Sequence, residues 1–532
     1  MPVHRLDLRN RDALFDALEA QTFDVAVIGG GITGAGVARD AAMRGLKVAL
    51  IEARDFASGT SSRSSKMIHG GLRYLPMGDL ALVREAASER KIVQAIAPHL
   101  ARETPFVIPA KNAAVIAKLR AGLWTFEKLG GVPKARKHEV WSQAQLRARE
   151  PAIAADDLSG AVVYPEYLTD DARLTLANIR DAAAHGALVV NYANAASLVV
   201  EGGRAVGIEV VDALPGQEGA ARRARLAAHL IVNAAGPWVD AVRALESPGA
   251  TPRLKLTKGV HLVVARERLP VDRTVILPAA DRRSVFAVPK GAATYIGTTD
   301  TFYPAADLWP AITAEDADYL LDAAARRFVT ARLTHADITS AWSGVRPLVG
   351  EEGKSASEIS RKDELWTGPA GVLAIAGGKL TAYRKMAERV VDQIEETLGR
   401  KPTPCRTDKE PLSGGDVVVE TAVASLLAAG LDDLAAQRLV GLYGSEAEAL
   451  VVAGGDVAAE TRHAVEVEGA LTLEDYWVRR SARAWFDPAG GTAVLADAAD
   501  AMAPLLGWSD GEQARQVAAC RTIYNGNMAA LR

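Results

Sequence analysis

The segment from Phe23 to Glu52 constrains the fold more than any other part of the chain. It begins with a short apolar run, VAVI, which is typical of a strand buried on both faces of a parallel sheet. Three glycines follow in the spacing Gly29-x-Gly31-x-x-Gly34, then a helical stretch, then a second apolar run that ends at Glu52. This order of strand, glycine turn, helix and strand predicts one βαβ unit of a doubly wound sheet.

Each glycine of this unit has a physical role in a dinucleotide site. Gly29 permits the tight turn, Gly31 lets the backbone approach a pyrophosphate, and Gly34 lets the helix pack closely on the strand. The N–H groups at the start of the helix favour phosphate, and Glu52 can accept hydrogen bonds from an adenosine ribose. The unit therefore predicts a dinucleotide cofactor, but it does not decide between NAD and FAD.

Two later segments indicate further parts of the same domain. The stretch VLAIAGGKLTAYRK (372–385) predicts a buried strand, a Gly377-Gly378 turn and a helix, without a second complete glycine pattern. The start of that helix can face the flavin edge that becomes negative on reduction, which favours FAD, although an ordinary strand–helix unit is the alternative. The stretch LIVNAAGPW (230–238) predicts another strand, and Gly236 beyond it lets the backbone lie close to a cofactor.

Composition excludes several other classes of protein. A chain of 532 residues is expected to form two or three domains, and a net charge of −3 gives no indication of nucleic-acid binding. Two cysteines cannot build a disulfide framework, a four-cysteine zinc site or an iron–sulfur site, and they fit a reducing cytoplasm. The N-terminus lacks a secretory signal, and no apolar run is long enough to predict a membrane-spanning helix.

Several motifs together resemble one family. They are TSSRSSKMIHGGLRYL (60–75), TDDARLTLAN (169–178), KGVHLVV (258–264), YIGTTD (295–300), WSGVRPL (342–348) and AGGKLTAYRKMAE (376–388). By these motifs the chain resembles the FAD-dependent glycerol-3-phosphate dehydrogenases, which are flavoproteins similar to D-amino-acid oxidase. The resemblance extends from about residue 22 to about residue 488.

The resemblance implies an α/β fold with a discontinuous Rossmann-like FAD-binding domain, a β-sheet substrate domain and a C-terminal α-helical domain. The expected borders are an N-terminal extension at 1–22, the FAD-binding domain at 23–75, about 155–240 and about 340–400, the substrate domain at about 76–154 and 241–339, and the helical domain at about 405–532.

The resemblance also assigns site residues. Segment 60–75 is expected to pass from cofactor to substrate; without the family, its serines and lysine would predict a solvated loop. The expected cofactor-binding residues are Gly29, Gly31, Gly34, Glu52, Thr60, Ser61, Ser64, Ser65, Lys66, Gly236, Gly377, Gly378, Lys379, Leu380 and Thr381. The expected substrate-binding residues are Arg73, Tyr74, Arg346, Arg361, Lys379 and Thr381.

The implied reaction is the oxidation of glycerol 3-phosphate to dihydroxyacetone phosphate by hydride transfer to FAD. The hydroxyl proton needs a base, for which His69 is the first candidate and His261, in an apolar strand typical of a core histidine, is the second. Arg346 is expected to act in catalysis by binding the phosphate, because arginine offers a planar fork of donors. Arg361 lies in a polar run that is also typical of a protein surface.

The expected partners are glycerol 3-phosphate, a membrane quinone as electron acceptor and a membrane surface. Residues 118–138 combine basic and apolar residues, which predicts either contact with anionic lipid or a helix that covers the substrate domain. The expected location is the cytoplasm or the cytoplasmic face of the inner membrane, with a homodimer as one alternative for the oligomeric state. The open alternatives for function are an oxidase that uses oxygen, a dehydrogenase of another polyol phosphate and a non-catalytic flavin-binding protein.

Overall fold

The structure is a computed structural model that describes residues 4–69, 80–129, 132, 137–216, 221–281, 283–329, 332–350 and 363–532. Its described strands form two sheets, one of eight strands and one of ten. The strands are β1 (Thr22–Ile28), β2 (Val48–Ile51), β3 (Met67–Ile68), β4 (Arg102–Ala110), β5 (Glu139–Ser142), β6 (Gly160–Leu168), β7 (Leu188–Val190), β8 (Ala193–Glu201), β9 (Arg204–Asp212), β10 (Arg223–Asn233), β11 (Leu254–Ala265), β12 (Thr274–Pro278), β13 (Ser284–Lys290), β14 (Ala293–Gly297), β15 (Thr301–Phe302), β16 (Ile338–Val349), β17 (Asp363–Thr367) and β18 (Leu373–Gly377).

Helices cover both sheets and form most of the C-terminal region. They are α1 (Arg11–Glu19), α2 (Ile32–Met43), α3 (Leu80–Ile96), α4 (Ala113–Leu129), α5 (Gln143–Arg149), α6 (Asp171–Ala184), α7 (Val239–Glu246), α8 (Ala314–Ala325), α9 (Tyr383–Thr397), α10 (Val419–Ala428), α11 (Asp433–Tyr443), α12 (Ala447–Val452), α13 (Val457–Glu466), α14 (Arg483–Phe486), α15 (Leu495–Leu506) and α16 (Asp510–Met528). Within the described residues, no helix combines the length and the apolar character needed to cross a bilayer.

The first sheet has the order β17-β18-β10-β1-β2-β7, with β9 on β10 and β8 on β9. Its central strands are parallel and apolar on both faces, because helices cover each side. Ile28 pairs with Ile51 and Asn233, and Asn233 pairs with Ala374. The segments that follow β1, β2, β10 and β18 therefore meet at one edge of the sheet, where doubly wound folds bind ligands. The predicted return of 372–377 to this sheet is confirmed.

The second sheet has the order β15-β11-β14-β13-β12-β4-β6-β3, with β16 on β11 and β5 on β6. Two of its strands were expected in the other domain. The predicted borders assigned about 155–240, which contains β6, and about 340–400, which contains most of β16, to the FAD-binding domain. Strand β6 pairs with β4 and β5, and β16 pairs along the length of β11. The apolar pattern of a strand shows that it is buried, but it does not show which of two sheets supplies its partners.

The predicted helical region after residue 405 is present, and it shares a core with the second sheet. Tyr295 and Trp342 of that sheet pack in one cluster with Trp477, Trp485 and Cys520 of the C-terminal region. The C-terminal helices are therefore part of the wall around the functional site and not an independent appendage.

Candidate functional site

A cavity of about 1540 Å³ lies at the edge where the parallel strands of the first sheet end. Its walls come from the glycine turn after β1, from segment 58–69, from β16 of the second sheet and from the turn before α9. Residues of the C-terminal region, including Glu474 and Gln516, complete it. One cavity thus joins all three predicted parts of the molecule.

The turn after β1 is closed so tightly that two of its glycines leave no room for a side chain. Gly29 has a φ of +112°, and a Cβ atom added there would lie 2.6 Å from the carbonyl oxygen of Ala234. A Cβ at Gly34 would lie 1.9 Å from the carbonyl oxygen of Gly29. Gly31 lines the cavity, and an added Cβ would meet only the hydroxyl oxygen of Ser61, at 3.2 Å. Gly29 and Gly34 therefore build the turn, whereas Gly31 faces the ligand space.

Glu52 lines the cavity at the end of β2, and its carboxylate already supports the glycine turn. Oε2 accepts a hydrogen bond from Gly30 N–H at 2.7 Å, and Oε1 accepts one from Arg54 N–H at 2.9 Å. Burial raises the pKa of Glu52, although these two N–H donors act in the opposite direction. Each carboxylate oxygen can accept a second hydrogen bond, so the predicted ribose contact stays compatible with this geometry.

Thr60 and Ser61 begin the segment that the sequence assigned to cofactor binding, and both line the cavity. The Ser61 hydroxyl accepts a hydrogen bond from Ile32 N–H at 2.9 Å, at the start of α2. The Thr60 hydroxyl donates to the carbonyl of Val345 at 2.6 Å, on strand β16. This short turn therefore connects the pyrophosphate end of the first sheet to the second sheet.

Ser64 and Ser65 also line the cavity, and aromatic residues of the second sheet fix their backbone. The Trp342 indole donates to the Ser64 carbonyl at 3.3 Å, and the Tyr295 hydroxyl donates to the Ser65 carbonyl at 3.1 Å. The Ser65 hydroxyl lies 2.9 Å from Nε2 of His261. The loop is thus held in place by the protein itself.

Lys66 does not line the cavity, although the sequence predicted that it contacts the cofactor. Its ammonium donates to the Asp171 carboxylate at 2.5 Å and to the Ser62 carbonyl at 3.1 Å, and the residue is buried and does not line the cavity. The acid at the start of α6 is the nearer partner for this cation. Lys66 therefore holds the loop against helix α6 and leaves the cavity to the serines.

His69 lines the cavity at the end of β3, and Thr381 fixes its backbone. The Thr381 hydroxyl lies 3.2 Å from both the N–H and the carbonyl of His69, so it can accept from one and donate to the other. Thr381 is itself buried behind the cavity wall. This contact places the first candidate base next to the turn that begins α9.

Arg346 lines the cavity from β16. Its guanidinium pairs with Asp300 at 3.1 Å and donates to the Thr298 hydroxyl at 2.8 Å and to the Thr299 carbonyl at 3.3 Å. These contacts fix the orientation of the side chain before any ligand binds, which is what a positioning arginine requires.

His261 lies behind the cavity wall and not in it. Its ring stacks on Trp342 with centroids 4.6 Å apart, and a Cβ at the neighbouring Gly297 would lie 2.1 Å from the ring. Burial lowers the pKa of His261 well below its usual value, and the nearby Arg346 and Lys66 add to the effect. The second candidate base is therefore a buried histidine whose closest polar contact is Ser65.

The turn before α9 forms another wall of the cavity through Gly377, Gly378, Lys379 and Leu380. Both glycines have positive φ, and a Cβ at Gly378 would lie 2.4 Å from the sulfur of Met386. The following turn, Leu380–Ala382, leads directly into α9, so the positive end of that helix lies at the cavity wall. Gly236, also with positive φ, lines the cavity from the segment after β10.

Three predicted substrate-binding residues, Arg73, Tyr74 and Arg361, lie outside the described residues. Three other residues that the sequence did not single out lie at the cavity wall: Arg63, Thr298 and Asp300. Arg63 belongs to the motif TSSRSSK, and Thr298 and Asp300 belong to YIGTTD. The motifs could not show which of their residues reach the cavity wall, because this depends on contacts between strands far apart in the sequence.

A family model for FAD-dependent oxidoreductases matches residues 24–384, and a model for the C-terminal domain of alpha-glycerophosphate oxidase matches residues 405–513. With the fold and the cavity, these matches define the class: an FAD-dependent oxidoreductase with an added helical domain.

Individual relatives narrow the class. The aerobic glycerol-3-phosphate dehydrogenase of Bacillus subtilis is 40% identical over 511 residues, covering 91% of each chain, and that of Staphylococcus aureus is 38% identical over 526 residues, covering 94% of each. The FAD-bound crystal structure of the glycerol-3-phosphate dehydrogenase from Bacillus halodurans has a TM-score of 0.82 at 33% identity and covers 99% of each chain. The chain therefore belongs to the FAD-dependent glycerol-3-phosphate dehydrogenase family.

The described residues fit the cofactor of this family. Gly31 faces open space beside the start of α2, as a bound pyrophosphate requires. The cavity continues from there past the serine loop to His69 and to the start of α9, which gives an extended ligand a continuous path.

Proposed function

We propose that the protein oxidises sn-glycerol 3-phosphate to dihydroxyacetone phosphate, with FAD as hydride acceptor and a respiratory quinone as the next acceptor. The observation that carries the proposal is that one cavity contains the glycine turn, His69, Arg346 and the start of α9. The names of relatives 38–40% identical to this chain support the choice of substrate.

In this proposal His69 removes the proton of the secondary hydroxyl, because a neutral imidazole is suited to general base catalysis at neutral pH. Thr381 holds the His69 backbone in place during the reaction. Bound FAD supplies the acceptor for the hydride. The positive end of α9 favours negative charge at that wall of the cavity.

Arg346 binds the phosphate, and Asp300 keeps its guanidinium oriented. The phosphate is the charged part of the substrate, so its binding energy positions the reacting carbon. His261 is the weaker candidate base, since its ring lies behind Ser65 and burial lowers its pKa.

The test is anaerobic reduction of the bound flavin, which is measured as the loss of its visible absorbance. Glycerol 3-phosphate should bleach the flavin, and glycerol should be a very poor substrate. Arg346→Ala should retain FAD and lose about 2–5 kcal/mol of substrate binding and turnover, and Arg346→Lys should recover part of this loss. If glycerol or another polyol phosphate works as well in the parent, the substrate proposal is wrong.

The acceptor and the membrane contact form a separate part of the proposal, supported by helix α4. Leu119 of this helix lines the cavity, whereas Trp124 is 52% exposed with the Lys128 ammonium 4.3 Å from the centre of its ring. The helix thus has one side toward the cavity and a basic, aromatic side toward solvent. Such a face fits the surface of an anionic membrane, the source of a quinone.

Changing Lys118, Arg120 and Lys128 to Glu should release the protein from anionic vesicles while a soluble dye is still reduced. Unchanged vesicle binding would leave α4 as a cover helix only. The alternative electron acceptor is oxygen. The matching C-terminal domain model, which is named after alpha-glycerophosphate oxidase, supports this alternative. Peroxide formation measured against quinone reduction separates the two.

The remaining parts of the proposal are a location in the cytoplasm or on the cytoplasmic face of the inner membrane, and a homodimer. Cell fractionation tests the first, and sedimentation of the purified protein tests the second.

A further inference from the structure

Arg63 is a buried arginine at the wall of the cavity. It follows the turn Thr60–Ser62 and is 3% exposed. Its backbone packs against β16, where a Cβ at Gly344 would lie 2.7 Å from the Arg63 Cβ and 2.9 Å from its carbonyl oxygen. Because Gly344 lies two residues before Arg346 on the same strand, Arg63 is fixed beside the part of the site assigned to phosphate.

Only one side of the Arg63 guanidinium is used by the protein. Nη1 donates to the carbonyl of Ser58, and the guanidinium stacks over Trp309, 4.0 Å from the ring centre. Nε and Nη2 are buried and have no hydrogen-bond acceptor among the described residues. These two atoms form one edge of the planar group, and that edge has the geometry for bidentate binding of two oxygens of one anion.

Three other arginines that line the cavity differ, because each has a carboxylate partner. The pairs are Arg346 with Asp300 at 3.1 Å, Arg283 with Asp281 at 2.6 Å and Arg479 with Glu474 at 2.7 Å. No ion pair joins Arg63 to a carboxylate in the described part of the chain. Burial lowers the pKa of Arg63 to about 9, and the more distant Glu474 and Asp171 offset only part of this effect.

A buried cation with unused donors is costly unless a ligand completes it. We propose that the Nε–Nη2 edge of Arg63 binds a phosphoryl group in this cavity, which is either the pyrophosphate of FAD or a free phosphate such as that of the substrate. The second source rests on the proposed function; the first requires only membership of the FAD-dependent family. Arg63 is then a ligand-binding residue additional to those that the sequence motifs assigned.

The experiment compares Arg63→Met with the parent as holoenzyme. FAD affinity is measured from the fluorescence of flavin released on dilution, and inorganic phosphate affinity is measured by titration calorimetry. One of the two dissociation constants should rise by about tenfold or more, because hydrogen bonds to a charged group are lost. A rise for FAD identifies the pyrophosphate, and a rise for phosphate identifies a free phosphate. Arg63→Lys should recover part of the affinity, since it restores charge without the fork.

Arg283→Met is the matched control, because it removes an arginine from the same cavity. Unlike Arg63, Arg283 already donates hydrogen bonds to the Asp281 carboxylate and to the Asp300 carbonyl. Arg283→Met should change both constants less than Arg63→Met does. If Arg63→Met does not fold, the proposal is tested by the dissociation constants of Arg63→Lys for FAD and for inorganic phosphate. Values within about twofold of the parent for both ligands in a folded variant would overturn the proposal. If the parent binds no inorganic phosphate, FAD release alone decides. Failure of glycerol 3-phosphate to bleach the flavin would leave the FAD arm unaffected.

Discussion

The cavity and the domain junction are both rich in buried charge, but they differ in how that charge is paired. The domain junction consists of Arg173 and Arg180 on α6 with Glu446, His463 and Glu468 of the C-terminal region. Arg173 meets Glu468 with two contacts of 2.6 and 2.5 Å, and Arg180 meets Glu446 with two contacts of 3.0 and 2.8 Å. Each arginine of the junction is therefore paired in a bidentate geometry with a carboxylate of the other domain.

In the cavity, by contrast, Arg63 has two donors without an acceptor among the described residues. The difference teaches how to separate a structural cluster from a binding site. Glu446, His463 and Glu468 place their ligand atoms within 4.8 Å of one another, as a metal site would. Two arginines already neutralise those carboxylates, so the cluster holds domains together and gives no reason to add a cation.

The largest effect is expected from the cavity and should appear in chemistry alone. His69→Gln keeps the size of the side chain but cannot accept a proton at neutral pH. Flavin reduction by glycerol 3-phosphate should slow by about 10²–10⁴-fold in stopped-flow measurements. FAD content and the thermal unfolding temperature should match the parent, because the side chain supports no junction contact. A rate within a small factor of the parent would transfer the role of base to His261 or to water.

The junction should respond in the opposite way, in stability and not in chemistry. Arg173→Met leaves Glu468 buried with a weaker set of partners, which should cost about 3–5 kcal/mol of unfolding free energy in urea titrations. Flavin reduction by the folded fraction should be unchanged. The control is Arg147→Met, which breaks an exposed pair with Asp156 and should cost at most about 1 kcal/mol. Equal costs for the two variants would refute the distinction between buried and exposed pairs.

The glycine turn allows the same comparison at two positions three residues apart. Gly34→Val must displace the Gly29 carbonyl, so it should destabilise the fold by about 1–3 kcal/mol or prevent folding. A Cβ atom at Gly31 meets only Ser61 in the protein, so Gly31→Val should fold but purify with little bound FAD. Absorbance of bound flavin and thermal unfolding measure the two effects. Full FAD occupancy in Gly31→Val would contradict the assignment of this turn to pyrophosphate.

Much of the first sheet could be predicted from sequence, because its strands are continuous apolar runs followed by glycines. VAVI and LIVN give such runs, and Gly34 fixes the direction of helix α2 by contact with Gly29. The assignment of β6 and β16 could not be predicted, since both pair with strands that lie far away in the chain. Sequence patterns report burial well and long-range pairing poorly.

The candidate site shows the same limit. The motif around residues 60–69 identified the loop, but it could not show that Lys66 pairs with Asp171 while Arg63 forms part of the cavity wall. Both are cations in a polar run, and only the position of an acid on α6 separates them. The ion pairs of the domain junction were missed for the same reason, because their members are spread from Arg173 to Glu468.

The smallest expected effect tests the junction through pH. Burial disfavours the charged form of His463, but Glu446 at 3.4 Å and Glu468 at 3.6 Å outweigh it and raise its pKa, even with Arg173 and Arg180 nearby. A raised pKa means that the folded protein binds the proton more tightly than the unfolded chain does. The contribution is fully present below the unfolded value of about 6.5, and it is lost as the pH rises through the folded value.

The unfolding free energy of the parent should therefore fall between about pH 6 and the folded pKa of His463, at the rate set by one proton. His463→Gln should remove this part of the slope, while flavin reduction at a fixed pH stays like that of the parent. Glu446 does not interfere with the test. Burial raises its pKa, but His463 and Arg180 outweigh burial and lower the pKa to about 2. The contribution of Glu446 to stability is therefore lost only in strong acid. Urea titrations of both proteins at several pH values give the difference. Parallel curves for parent and variant would mean that His463 is neutral in the junction.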